Sequence, residues 1–349
     1  MMIKPFTQTS HRVHWIDICR GIGIILVLYG HLFVSDKNTY LIFAFHMPLF
    51  FFISGLVFRP TTKSLWEITK KYFKQLLIPY YIFAILTYAF TLISQTAGDI
   101  SISGIGYQLF GIIYGSGSDG MLGYNVVLWF LPCLFITKLT FAAITKRLSQ
   151  TKLLICILTV SAITGYLLSL YFPWLKLPFN FEIALTGLTF FGTGYLLRIN
   201  KHLFKIFANQ KPLLAITALL FTILIATVNY HMSGAKVDLR ANQLDNFFLF
   251  YLGAFGGIIS WITISQIIAK NTVLEYIGRH SMIIFAWHNV IATDLENIVN
   301  SLLTQDLLNP IKYLLPTIYA FMLTCIILFS RMVIVKLKGV YNLTNYLKL

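Results

Sequence analysis

Long apolar blocks alternate along the chain with short polar connections. Each block runs for about 20 residues, which as a helix rises about 30 Å, the depth of a bilayer's hydrocarbon core. The blocks are continuous instead of alternating polar with apolar, which argues for helices and against a closed barrel. In lipid every backbone N–H and C=O must find a partner within the protein, and a helix pairs them within its own segment. The pattern predicts an all-α polytopic membrane bundle of about ten spans, approximately 17–35, 40–58, 76–95, 125–141, 153–171, 182–198, 212–230, 247–268, 281–299 and 313–333. No soluble stretch is appended, so residues 1–349 read as one membrane domain.

Composition agrees with that reading. Of 349 residues 57% are hydrophobic and 11% charged, where a soluble domain carries roughly a quarter. The formal net charge of +15 first suggests nucleic acid, but its distribution points elsewhere. Lys and Arg crowd the N-terminal tail, the even-numbered connections (Arg59, Lys63, Lys70, Lys71 and Lys74 in the first of them) and the C-terminal tail. The odd-numbered connections hold only Lys37, Lys176, Lys236, Arg240 and Lys312. This bias predicts both termini in the cytoplasm, and the charge needs no nucleic-acid partner. Cys19, Cys133, Cys156 and Cys325 lie in apolar runs without CxxC spacing, so neither a disulfide framework nor a metal site is expected. The N-terminus lacks a signal-peptide pattern, and the first apolar run should remain as a span. The glycine- and serine-rich connection 96–124 reads as a mobile loop or a re-entrant segment around Tyr107–Tyr114.

Ionisable residues inside spans are costly and are functional candidates by default. The first span, IDICRGIGIILVLYGHLFV, carries Arg20 and His31 eleven positions apart. Eleven steps of about 100° end about 20° past three full turns, so both share one face, about 16 Å apart along the axis. Asp17, three residues before Arg20, is placed to pair with it. Gly21, Gly23 and Gly30 leave room for close helix packing or a substrate. Arg20 also fits an interfacial anchor, and His31 a hydrogen-bonded bundle histidine. As a functional pair, His31 has the chemistry of a general base near neutral pH.

The second span, FAFHMPLFFFISG, sets His46 and Pro48 in an aromatic run. Pro48 is expected to kink the helix, and His46 either lines the cavity of His31 or makes a structural hydrogen bond. In KKYFKQLLIPYY, Lys71 and Lys74 lie one helical turn apart and suit either anchoring or an anionic donor's phosphates. Further substrate-binding candidates are Trp129, which also fits an interfacial anchor, Glu182, which also fits a hydrated helix end, and His288 beside Asn289. No Walker A loop, HExxH or GxSxG occurs.

Taken together, these residues resemble the acyltransferase 3 family of membrane-bound O-acyltransferases. Arg20, ten residues and His31 fit its first-span motif; FHMPLFFFISG at 45–55 looks like its second-span signature. GRHSMIIFAWH at 278–288 is similar to its late glycine-serine-histidine segment, and LWFLPCLF at 128–135 resembles the sugar O-acetylase branch that includes fucose 4-O-acetylases. Lys71 and Lys74 stand where members often carry arginine, and lysine is an imperfect substitute for a bidentate phosphate grip. The resemblance implies a bacterial inner-membrane enzyme with no permanently bound cofactor. It would move acetyl from cytoplasmic acetyl-CoA to a sugar hydroxyl of a cell-surface polysaccharide or its lipid-linked precursor. His31 would then be the general base, Arg20 would hold donor phosphate and Asp17 would orient Arg20. The competing expectation is a transporter of a lipid-linked sugar, against which stand the missing internal repeat and the few intramembrane acids. A sensor or scaffold without chemistry is the third.

Overall fold

The computed structural model describes residues 13–31, 36–94, 102–117, 120–148, 150–200, 212–302 and 324. Among them there is no strand; one isolated bridge joins Asp238 and Gln243 in a loop. The helices are α1 (His14–His31), α2 (Asp36–Phe43), α3 (His46–Leu56), α4 (Leu65–Tyr72), α5 (Ile78–Ser94), α6 (Ile102–Tyr114), α7 (Phe130–Arg147), α8 (Thr151–Tyr171), α9 (Phe181–Ile199), α10 (Pro212–Ser233), α11 (Phe247–Ile268), α12 (Thr272–Arg279) and α13 (Ser281–Leu302). Six helical stretches are long and apolar enough to cross a bilayer: Thr39–Leu56, Leu65–Ile93, Val126–Arg147, Thr151–Tyr171, Pro212–Ser233 and Phe247–Ile268. Large apolar side chains point outward from these stretches, Ile93 being 84% exposed and Leu213 71%, as expected where lipid is the solvent.

The expected first and sixth spans are the helices α1 and α9. Both fall outside those six and carry polar groups, Asp17, Arg20 and His31 on one and Glu182 and Arg198 on the other. The ninth begins as the shorter apolar stretch Ser281–Ile291. The tenth, 313–333, lies outside the described residues apart from Thr324. The loop at 96–124 contains a real helix, α6, anchored where the Tyr80 hydroxyl donates to Ile112 O at 2.9 Å.

The second expected span is broken four residues before Pro48, at the carbonyl that a proline crowds and leaves without an N–H partner. The turn falls at Ala44–Phe45, and Pro48 is the third residue of α3. A first-turn N–H has no partner within its helix, so proline costs little there. His46 starts α3 and its Nδ1 lies 2.8 Å from Ile42 O, satisfying a carbonyl at the end of α2.

Ser64 and Glu67 form a capping box that starts α4. Past Tyr72 the helix widens into a π turn, Phe73–Leu77. Pro79 follows, with no N–H to give and a ring that crowds the carbonyl four residues back. π turns of this kind gather at functional sites.

Two glycine pairs set the closest crossings. A Cβ on Gly55 would lie 1.8 Å from Phe191 O, and one on Gly194 would lie 2.2 Å from Phe52 O, so α3 and α9 touch backbone to backbone. A Cβ on Gly21 would meet Leu274 O at 2.2 Å, and one on Gly278 would meet Asp17 O at 1.8 Å, so α1 and α12 do the same. The α1–α12 crossing is also clamped by His14 Nδ1, 2.8 Å from Glu275 Oε2. That hydrogen bond holds the Glu275 carboxyl below its usual range. A depressed carboxylate contributes stability at pH values above its ordinary value of about 4.3, and the contribution disappears as pH falls through the depressed value. The melting temperature of the purified protein should therefore drop more steeply below about pH 4.3 in the wild type than in Glu275→Gln. Equal acid slopes in the two proteins would remove the assignment.

Candidate active site

α1 and α13 run side by side in the same direction, and each brings a polar residue to either end of a shared face. At one end, α1 and α13 help line an open cleft of about 580 Å³. Each of four helices contributes residues four apart, one turn of a single face: Arg20 and Ile24 from α1, Phe50 and Ser54 from α3, Phe130 (with Leu131) and Leu134 from α7, and Ser281 (with Met282) and Phe285 from α13. Leu76 of the π turn completes the wall.

Arg20 Nη1 lies 3.7 Å from Asp17 Oδ1, the expected pairing; Asp17 is 4% exposed. Next to this pair stands a lysine that the sequence reading passed over. Lys138 follows Leu131 and Leu134 on the cleft-facing side of α7, seven and four residues on. Its Nζ sits 4.7 Å from the centre of the Tyr72 ring, and Lys71 Nζ sits 5.9 Å from the same ring. Lys138 lies within electrostatic range of both Lys71 and Arg20. Three cations thus gather at one end of the cleft, held by an aromatic face that tolerates positive charge. The signal for Lys138 was present in LWFLPCLFITKLTF, where a lysine interrupts a predicted span. Lys74 is exposed within the π turn.

At the other end, His31 closes α1 and is exposed. Its ring centre lies 5.3 Å from that of His288 and 5.8 Å from that of Phe43. Phe43 in turn is 4.9 Å from His46 and carries Lys236 Nζ 4.1 Å over its face. The structure therefore brings together His31, His46 and His288 from three separate helices. His46 and His288 are buried, and each ring is fixed through Nδ1 to a carbonyl of its own chain neighbourhood, Ile42 O and Phe285 O, both at 2.8 Å. Phe285 is also a cleft-lining residue, so the histidine end begins one helical turn beyond the cleft wall.

Asn125 is a second residue that sequence reasoning missed. It is fully buried and its Nδ2 donates to Ala286 O at 2.8 Å, pinning α13 between Phe285 and His288. An asparagine at the start of an apolar run carries no sequence signal distinct from an ordinary helix start.

Trp129 and Glu182 lie behind the cleft and do not line it. Trp129 is 4% exposed and packs edge-on to Phe130 at 6.0 Å, which makes it a supporting wall and not an exposed interfacial anchor. Glu182 is 1% exposed, against the expectation of a hydrated helix end. Its Oε2 accepts from Leu177 N at 3.0 Å at the start of α9, where a helix N-terminus favours a carboxylate.

A family model described as an acyltransferase domain matches residues 13–331, nearly the whole chain. The chain belongs to the acyltransferase 3 family. No curated protein and no solved structure matches it. Family membership and the long apolar helices together make this a multi-pass membrane acyltransferase. The two arrays of the acyltransferase, cations at one end of α1 and histidines at the other, have the division of labour that acyl transfer needs. One end suits an anionic handle, and the other suits removal of a proton.

Proposed function

We propose that this acyltransferase moves an acetyl group from cytoplasmic acetyl-CoA to a sugar hydroxyl of a cell-surface polysaccharide or its lipid-linked precursor. Its setting would be the bacterial inner membrane, with about ten spans and both termini in the cytoplasm. The observation that carries this reading is the shared face of α1. It presents Arg20 to the cleft with Lys71 and Lys138 nearby, and His31 about 16 Å further along. Acyl-CoA separates its phosphates from its thioester by a long flexible arm, so a donor gripped at the cation end would deliver its thioester toward the histidine end. Lysines act on phosphate as point charges, and Arg20 adds a planar fork.

In this reading Arg20, Lys71 and Lys138 hold donor phosphate, with Lys74 as a further exposed cation of the π turn, and Asp17 orients Arg20. His31 takes the hydroxyl proton as the sugar oxygen attacks the thioester carbonyl. His46 and His288 frame the acceptor end, while Trp129 and Glu182 support the wall behind the cleft. Membranes containing the protein, given labelled acetyl-CoA and candidate glycans, should put label on a glycan in a donor-dependent way. Movement of a sugar across the membrane without label would favour a transporter. Lys138→Gln removes one charge-assisted contact, worth about 1.5–3 kcal/mol. We expect KM for acetyl-CoA to rise about 10- to 100-fold with kcat little changed. An unchanged KM would exclude Lys138 from the donor site.

A further inference from the structure

Among the described residues, the histidine end holds one buried polar side-chain atom with no partner, His288 Nε2. His288 Nδ1 lies 2.8 Å from Phe285 O, so Nδ1 carries the proton and donates, leaving Nε2 with a lone pair. His288 is 0% exposed, and its Nε2 accepts no hydrogen bond. A buried acceptor of this kind is costly to leave unmatched. Two rings lie against His288: Phe285 at 5.9 Å, which has no polar hydrogen to give, and His31 at 5.3 Å between centres with planes at 52°. When two imidazoles at that separation direct nitrogens at each other, about 3 Å remains between the nitrogens, the length of a hydrogen bond. His46 is no competing donor for this contact, because its Nδ1 gives its proton to Ile42 O and leaves Nε2 as an acceptor.

We propose that His288 is a positioning residue that sets the tautomer of His31: its Nε2 lone pair receives the His31 N–H and leaves the other His31 nitrogen unprotonated toward the acceptor. The proposal rests on the reading of His31 as general base. In the step, the acceptor O–H bond breaks and its proton moves to the free His31 nitrogen. The oxygen bonds to the acetyl carbon, the carbon–sulfur bond breaks, and the leaving sulfur takes the proton from His31 to give the free thiol. His288 gains and loses no proton. It accepts a hydrogen bond that strengthens when His31 becomes positive, the place that a carboxylate, carbonyl or water takes behind other functional histidines. The chain ends on the carbonyl of Phe285, whose side chain lines the cleft. The base is therefore oriented from the same turn of α13 that faces the donor.

The test is nitrogen NMR of the full-length protein in lipid nanodiscs with ¹⁵N-labelled histidine, resonances assigned by single histidine substitutions. In the wild type, His31 should show one tautomer and a nitrogen–nitrogen coupling to His288 across the hydrogen bond. His288→Leu should give mixed His31 tautomers and a kcat lower by about 10- to 100-fold at unchanged KM for acetyl-CoA. His288→Gln, whose side-chain carbonyl can accept the same N–H, should recover part of both. Absence of the coupling in the wild type, or equal losses in His288→Leu and His288→Gln, overturns the proposal. The wild-type coupling is read without any variant and without turnover. Coupling present with no label reaching any glycan would instead count against the acetyl-transfer reading and leave the pair intact.

Discussion

His31→Ala is expected to lower glycan acetylation by about 10²- to 10⁴-fold, the usual range for a lost general base. The expected signature is specific. His31 is exposed at the end of α1, and the contacts recorded for its ring are with Phe43 and His288. Its loss uncovers the buried His288 ring, so a modest fall in melting temperature is expected while expression and insertion match the wild type. The cation end, about 16 Å away along α1, is untouched. KM for acetyl-CoA should therefore hold while kcat falls, the pattern of an interaction made only in the transition state. A His31→Ala protein that inserts normally and acetylates at the wild-type rate would sink the assignment.

Gly278→Ala should be severely damaging. Its new Cβ would lie 1.8 Å from Asp17 O, 2.8 Å from Asp17 C and 2.9 Å from Gly21 N. All three are backbone atoms, so no side chain can swing aside. α1 and α12 must separate, and the residue displaced is Asp17, the partner of Arg20. Overpacking a close-packed core costs about 1–3 kcal/mol where side chains can adjust. Here the cost should reach the top of that range or exceed it. Monodispersity in detergent and the melting curve read the effect. Gly106→Ala, where a Cβ meets nothing within 4 Å, is the matched control. A Gly278→Ala protein as stable as the control would mean the crossing is looser than described.

The two expectations act on different links between structure and function. His31 leaves the fold alone and removes chemistry. Gly278 leaves every polar group present and removes the register that lets Arg20 reach the cleft.

Much of this was legible along the chain because bilayer and helix impose strict periods. Blocks of about 20 apolar residues announced helices. The eleven-residue spacing put Arg20 and His31 on one face of α1, and Asp17 was placed to pair with Arg20, as it does. What helical periodicity cannot report is which helix faces which. Lys138 stood in plain sight in a predicted span, but its meeting with Lys71 over Tyr72 and its nearness to Arg20 depend on α4 packing against α7. His288 was visible only as a polar residue in its span, and its approach to His31 comes from α13 lying along α1. The kink expected of Pro48 appears as the turn at Ala44–Phe45, because proline acts on the carbonyl four residues back. Glu182 was expected in water because it lies at a helix end, and the loop folded over it instead. The sequence by itself determined the helices, the polar residues that would be expensive in lipid, and the common face of the first pair, since each follows from contacts within a few residues. Only the tertiary structure decided that three cations gather beside the cleft and three histidines meet at the far end of the α1 face, because those proximities are set by packing between helices far apart in the chain, α4 on α7 and α1 on α13.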